Sequence, residues 1–387
     1  LFKIKQSSLV LNGIRPQYTG QPAVIPLGLT WEKSTTLNLG LDFAFLSNRL
    51  QFSGDIYQRK TTDMFTVGMS LPAVFGTDVP KGNYADLTTK GFELSVSWRD
   101  QFQLASKPFN YEVRFTLADY QSTIDKYNNP EKKLGDDYYY EGMKVGEIWG
   151  YETEGFFTSQ ADIDSHAKQP YFYAGATAGQ WLPGDIKFKD LNGDGVIDYG
   201  NNTVDNPGDL KIIGNSEPRF IYGINLSGDW NNFFVSAFFQ GVGKQDWWPG
   251  SEASYFWGMY NRPYNDMPKS HLGNIWTEEN PNTYFPRLRG YSSEEPYAEL
   301  NLKQTRYLQN IAYIRMKNIQ LGYTLPKSFI SKLRMQNAKV YVSGENLWSW
   351  SPFYKYSKDL DVEAVRGSDR DLTEGTSGNG YSYPILK

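Results

Sequence analysis

Leu37-Asn38-Leu39-Gly40-Leu41-Asp42-Phe43-Ala44-Phe45 sets the reading of the chain: each odd position is large and apolar, each even position polar or small. Successive side chains leave a strand on opposite faces, so a period of two gives one greasy face and one wet face. After the short turn Ser47-Asn48-Arg49, the run Leu50-Gln51-Phe52-Ser53-Gly54-Asp55-Ile56-Tyr57 alternates in the same way. Further out come Phe92/Leu94/Val96/Trp98, Tyr111/Val113/Phe115/Leu117, Phe220/Tyr222/Ile224/Leu226, Phe233/Val235/Ala237/Phe239, Ile319/Leu321/Tyr323 and Val340/Val342. The pattern predicts about ten strands, and no segment of similar length has helical spacing.

Tight turns near 47–49 and 229–232 alternate with long Gly/Pro/Tyr-rich excursions near 64–82, 121–141, 158–215 and 244–305. Loops beyond roughly 15 residues are uncommon in compact domains unless they serve a function. Tight turns at one end and long loops at the other are the asymmetry of an outer-membrane barrel. Trp31, Tyr57, Trp98, Tyr120, Trp230, Tyr313, Tyr323 and Trp348 near strand ends suit an aromatic girdle at the lipid–water boundary. A soluble β-sandwich or propeller also alternates. The uniformly large apolar rows favour an all-β, transmembrane antiparallel β-barrel over these, and a mean hydropathy of −0.56 fits a wet lumen and long loops diluting a lipid belt.

Composition removes several functions. The 387 residues carry Lys+Arg 39 against Asp+Glu 43, a net charge of −4, without the basic excess of a nucleic-acid binder. Cys is 0, which excludes a disulfide scaffold, a thiolate metal site and a cysteine nucleophile. Two histidines far apart, His166 and His271, argue against a multi-His centre or a His-dependent triad. No apolar window of roughly 18 residues exists for a transmembrane helix. The first residues, Leu1 to Gln6, lack the apolar core of a signal peptide, and the chain does not begin with Met. The expectation is a mature product, a proteolytic piece or part of something larger. No Gly-x-Ser-x-Gly elbow or phosphate-cradling Gly loop appears. Glu278-Glu279 and Glu294-Glu295 read as solvated loop charges, so no catalysis is expected.

The sharpest local motif is Asp190-Leu191-Asn192-Gly193-Asp194-Gly195-Val196-Ile197-Asp198. Oxygen ligands at positions 1, 3 and 5, Gly at 6, a backbone carbonyl at 7 and an acid at 9 describe the first part of a Ca²⁺ loop. The candidate ligands are Asp190, Asn192, Asp194, the Val196 carbonyl and Asp198, with a structural role. Position 12 holds Asn201 in place of the bidentate Glu, and no helices flank the loop, so it is not an EF-hand. An Asp/Asn/Gly turn held by side-chain-to-backbone hydrogen bonds is the alternative. A second candidate site lies in the 244–305 excursion. There Trp247, Trp248, Tyr255, Trp257 and Tyr260 offer flat faces for stacking on sugars or anchoring peptides. Equally, such rings can pack a long loop onto itself. Tyr138-Tyr139-Tyr140 carries the same ambiguity.

Seven phrases, in order, resemble the SusC/RagA family of TonB-dependent outer-membrane transporters of Bacteroidetes. They are Leu29-Thr30-Trp31-Glu32-Lys33 with Asn38 to Asp42, then Tyr57 to Met64, then Lys90-Gly91-Phe92-Glu93-Leu94, where Thr89 replaces the usual Asn. Pro183-Gly184-Asp185-Ile186-Lys187-Phe188 then leads into the Asp190–Asp198 loop, and Ile213-Gly214 precedes Pro218 to Gly223. Tyr313 to Pro326 resembles the family's "YLRLKNITLGYTLP", and Val340 to Leu347 its "VYVSGQNL". Tyr383-Pro384 is similar to the phrase before the family's last strand.

The resemblance implies a barrel of roughly 22 strands, of which residues 1–387 would be the C-terminal portion, with the plug domain and N-terminal strands absent from this chain. It implies TonB-energised import of oligosaccharides or other large nutrients across the outer membrane of a Gram-negative bacterium. It also implies a SusD-like surface lipoprotein as lid, a TonB complex acting through the plug, outer-membrane lipid around the wall, and the remainder of the barrel as another segment or chain. On this expectation Asn38, Asp42, Gln51, Asp55, Glu93, Glu112, Arg114, Arg219 and Asn225 line the lumen. The rival is a soluble, Ca²⁺-stabilised carbohydrate-binding β-sandwich.

Overall fold

The computed structural model describes residues 3–20, 26–68, 79–135, 138–169, 180–250, 253–262, 264–289, 293–294, 298–358 and 360–364. A small hairpin, β1 (Lys3–Gln6) with β2 (Gln17–Gly20), comes first. Then follow β3 (Lys33–Phe45), β4 (Leu50–Val67), β5 (Lys81–Leu104) and β6 (Lys107–Lys126). The first long excursion holds β7 (Glu147–Tyr151), β8 (Thr153–Phe156), helix α1 (Gln160–Ser165), β9 (Ile186–Phe188) and β10 (Leu210–Asn215). After it the chain forms β11 (Arg219–Trp230) and β12 (Phe233–Lys244). The second excursion holds β13 (Asp246–Trp247), helix α2 (Ser254–Trp257) and β14 (Gln309–Asn310). Strand β15 (Tyr313–Thr324), helix α3 (Lys327–Ile330) and strand β16 (Lys339–Trp350) follow.

Eight long strands form one antiparallel sheet in strictly sequential order, β3-β4-β5-β6-β11-β12-β15-β16. The expectation of about ten such strands is corrected to eight among the described residues; the other strands are short and pair within the excursions. Each of the eight has at least 12 residues, enough for the roughly 9–11 that cross a bilayer as β. No helix of the described residues is long and apolar enough to cross a membrane.

In a meander every second connection lies at the same end. The connections 46–49, 105–106, 231–232 and 325–338 therefore share one end, while 68–80, 127–218 and 245–312 share the other. Asn231 and Asn232 both have positive φ (48° and 73°), as do Ala105 and Ser106 (49° and 62°), the requirement of the two-residue turn whose twist matches its strands. The Asn pair is legible in sequence. Ala-Ser is a poor signal for such a turn, which is why this second hairpin escapes a reading by residue type.

Pairing fixes the faces. Asp55 lies opposite Glu93, Ser97 opposite Arg114, Arg114 opposite Asn225, and Ser236 opposite Gln320, so one face is a continuous polar field. The other carries Phe52 opposite Val96, Val96 opposite Phe115, Phe115 opposite Ile224, and Leu321 opposite Val342. No second layer of the described residues covers this apolar face: Leu37, Leu39 and Leu41 stand 76%, 69% and 61% exposed, and Phe220, Val235 and Leu321 are exposed too. A sandwich would bury these side chains between layers. Only a lipid-facing wall leaves them all outside without penalty.

The large buried side chains instead lie in the excursions. Phe188, Phe256, Trp257, Tyr260, Phe285 and Tyr307 form a loop core, which meets the sheet at Val242 and Tyr313, the loop ends of β12 and β15. A smaller cluster gathers Ile124, Leu134, Tyr140 and Met143.

The expected girdle divides. Trp98, Tyr111, Trp230, Phe233 and Tyr323 gather on the apolar face toward the tight turns, with the Trp98 indole donating to the Tyr111 hydroxyl at 3.2 Å and the Phe233 and Tyr323 rings 4.7 Å apart. Trp348 stays exposed near the loop end. Tyr57 and Tyr120 are corrected: both flank Gly91 on the polar face. Tyr313 is corrected as well, because the bulge between Met316 and Asn318 turns it into the loop core.

Candidate functional site

The candidate site has two parts, the polar wall and the cap of loops above it. On the wall, Arg99 and Arg114 both reach Glu112, at 2.9 and 3.3 Å. Asn38 donates to Asp55 at 3.0 Å and Asn110 to Asp229 at 2.8 Å. These partly exposed groups give a hydrated, mixed-charge surface with no single-sign field. Arg219 does not line the wall as a free charge. Phe220 adopts φ 55° and breaks the alternation of β11, and the Arg219 guanidinium forks onto both Asp119 oxygens at 2.6 Å each. The Phe220 amide adds a third bond to Asp119 at 3.2 Å, so this carboxylate staples β6 to the start of β11.

A second tie joins β15 to the segment after β16. Arg315 contacts Asp361 at 2.7 Å and Glu363 at 3.2 Å, and Lys317 contacts Glu363 at 2.7 Å. In sequence the two basic residues belong to a strand phrase and give no hint of partners 46 residues later.

In the cap, the turn before β9 is held by buried charge. Asp185 is fully buried and receives Arg287 Nε at 2.5 Å, Arg289 Nε at 2.8 Å and a further Arg289 bond from Nη2. The Leu182 amide donates to the same carboxylate at 2.7 Å. Glu299, also fully buried, accepts the Ile186 amide at 2.9 Å and faces Arg289 at 3.9 Å. Burial, reinforced by the Asp185 charge, pushes the Glu299 carboxyl up to about 8 against the pull of the arginines. This cluster joins residues about a hundred apart, which no local motif announces.

The Asp190–Asp198 loop folds as a ladder of side-chain-to-backbone bonds. Asp190 accepts the Gly193 and Gly195 amides at 2.6 and 2.9 Å, Asn192 accepts Asp194 N at 2.9 Å, and Asp194 accepts Val196 N at 2.8 Å. Gly193 and Gly195 both have positive φ. Asp209, buried, closes the ladder by accepting the Leu191 and Asp198 amides at 2.6 and 2.8 Å. Burial raises its carboxyl despite those amides. Asp198 in turn accepts Gly200 N at 2.7 Å. Among the described residues no three His, Cys, Asp or Glu side chains converge as a metal cluster. Both Asp209 oxygens are thus engaged by backbone amides.

The aromatic site changes most. Trp247, Trp248, Trp257 and Tyr260 are buried, Trp257 and Tyr260 completely. The Phe256 and Trp257 rings are 4.8 Å apart, the Trp257 indole donates to the Pro249 carbonyl at 2.8 Å, and the Tyr260 hydroxyl donates to the Pro286 carbonyl at 2.6 Å. These four rings are corrected from ligand-facing platforms to the packing of the cap: a long loop needs its own core. The Tyr255 side chain lies outside the described residues, as do Glu295 and Tyr383-Pro384.

Fold and face together define a strip of outer-membrane β-barrel wall with its cap of loops. Its sequence is similar to TonB-dependent receptors, SusC among them, in keeping with its phrases. Over 377 residues it is 28% identical to TonB-dependent receptor P3 of Formosa agariphila, covering 93% of this chain and 33% of that protein. With the TonB-dependent receptor SusC of Bacteroides thetaiotaomicron the identity is 23%, covering 91% and 31%. Among solved structures the fold matches the RagAB peptide importer in its closed-closed state, with a TM-score of 0.66 and 18% identity, covering 95% of this chain and 36% of the other. No protein-family model matches the chain. It spans about a third of the length of these relatives.

Proposed function

We propose that this chain is part of the wall of an importer that carries oligosaccharides or other large nutrients, peptides included, across the outer membrane. The observation that supports it is the sheet's continuous apolar row, uncovered by any described residue, opposite a hydrated, mixed-charge field, in a chain similar to TonB-dependent receptors. The polar face encloses the path, the long excursions stand on the extracellular side, and a SusD-like lipoprotein closes over them. Energy comes from TonB through a plug, and the wall closes with the rest of the barrel, since an unpaired strand edge has no place in lipid. Nothing in this arrangement calls for catalysis. Co-purification from outer membranes tests it: a surface lipoprotein should travel with the protein and hold an oligosaccharide or peptide. A protein recovered alone from the soluble fraction would contradict it.

The Asp190–Asp198 loop is proposed separately as a structural Ca²⁺ site, held by Asp190, Asn192, Asp194, the Val196 carbonyl and Asp198. Its support is the ligand spacing, with Gly195 left-handed at the position where such a loop turns sharply. Calorimetric titration with Ca²⁺ should show saturable heat that Asp194→Ala abolishes. Absence of heat assigns the loop to its hydrogen-bond ladder alone.

A further inference from the structure

We infer that the crevice between Leu134, Tyr138, Tyr140 and Met143 on one side and β7 on the other binds an ammonium group. This crevice has a cavity of about 120 Å³, and the rings of Tyr138, Tyr140 and Trp149 line it together with the Met143 thioether. Glu147 is the one charged side chain among the described residues of its wall. The geometry is fixed by hydrogen bonds: the Tyr140 hydroxyl donates to Glu147 Oε2 and accepts the Trp149 indole N–H at 3.2 Å. The Tyr140 and Trp149 rings stand edge to face, at 69° and 6.5 Å between centroids. Two electron-rich ring systems are thus locked around a carboxylate. The other Glu147 oxygen accepts only the Lys144 backbone amide, at 3.0 Å, and no cation of the described residues pairs with it.

The chemistry of the lining selects the ligand class. Ring faces attract a cation, and most strongly one that sheds its water easily, as a methylated ammonium does. The carboxylate repels anions and gives a neutral apolar group nothing for its charge. One carboxylate beside three rings and a thioether is a poor donor set for a hard divalent ion, which takes six or more oxygens. At about 120 Å³ the cavity is smaller than the roughly 300–1,000 Å³ that encloses a whole small ligand. It therefore takes a terminal group: a free small amine, or the end of a lysine side chain. The inference is independent of what the barrel imports.

The test uses the full-length protein in detergent micelles, titrated with tetramethylammonium chloride against equal NaCl and followed by calorimetry. Saturable binding is expected in the wild type, weakened about tenfold by Glu147→Gln, where the lost charge is worth roughly 1.4 kcal/mol. Tyr138→Leu removes one half-buried ring while leaving the Tyr140–Glu147–Trp149 lock, and should weaken binding about two- to fivefold. Competition by choline assigns a free quaternary amine. Competition by a lysine peptide, but not by its acetyl-lysine counterpart, assigns a side-chain ligand. No response beyond NaCl in the wild type, or equal affinity in a folded Glu147→Gln variant, would overturn the site.

Discussion

Gly91 lies under the Tyr57 ring of the neighbouring strand. A Cβ there would sit 2.6 Å from the Tyr57 ring carbon Cζ and 2.8 Å from the Asp119 carbonyl oxygen, and the backbone oxygen cannot move aside. Overpacking of this kind costs about 1–3 kcal/mol. Gly91→Val should therefore lower the unfolding midpoint of the folded barrel in urea, read by heat-modifiable gel mobility; an unchanged midpoint would show that the ring and strand yield freely. The glycine is visible in the phrase Lys90-Gly91-Phe92, but its reason is not, because it depends on which residue of the next strand crosses it. The same limit explains the loop aromatics. Ala253, Phe256, Trp257 and Tyr260 do stand at helical spacing, but the stretch is only two turns long, so sequence alone leaves platform and packing open.

At the scale of elements, the strands were legible because a lipid-facing row must be apolar at every second residue, and the pattern is uninterrupted from Leu37 to Phe45 and from Phe92 to Trp98. The cap was not, since its ties join residues far apart: Asp185 to Arg287 and Arg289, Asp119 to Arg219, Lys317 to Glu363. The Asp185 cluster carries a pH prediction. Glu299 is raised from 4.5 to about 8 in the folded protein, so between those values the folded state holds a proton that the unfolded chain releases. Stability from this group is then fully present below about 4.5, falls as pH rises toward about 8, and is level above it. Hydrogen exchange at the Ile186 amide, corrected for its intrinsic rate, should report progressive loosening of the turn across that window, and Glu299→Gln should flatten the profile. A turn that tightens with rising pH would reverse the sign of the Glu299 shift.

For the whole molecule, eight strands in sequential order have two open edges among the described residues, β3 and β16, and no covering layer. In lipid, edges of this kind are satisfied only by pairing with further strands. An Arg at the lipid midplane costs roughly 2–4 kcal/mol, while on the wet face it meets water. In the complete protein Leu41→Arg should accordingly cut barrel assembly in outer membranes, and Asp42→Arg should leave it near wild type; equal yields would exchange or erase the two faces. Because the chain has no native cysteine, single cysteines can report the faces directly. The decisive measurement places bimane-labelled cysteines at Leu39, Leu41, Val235 and Leu321, and at Ser53, Ser95, Ser236 and Gln320, in the complete protein reconstituted in bilayers. Brominated lipid should quench the first four labels and spare the second four, whereas a water-soluble quencher should do the opposite. If Leu39 and Leu41 escape both quenchers, they lie in a dry protein interior and the transmembrane wall is contradicted.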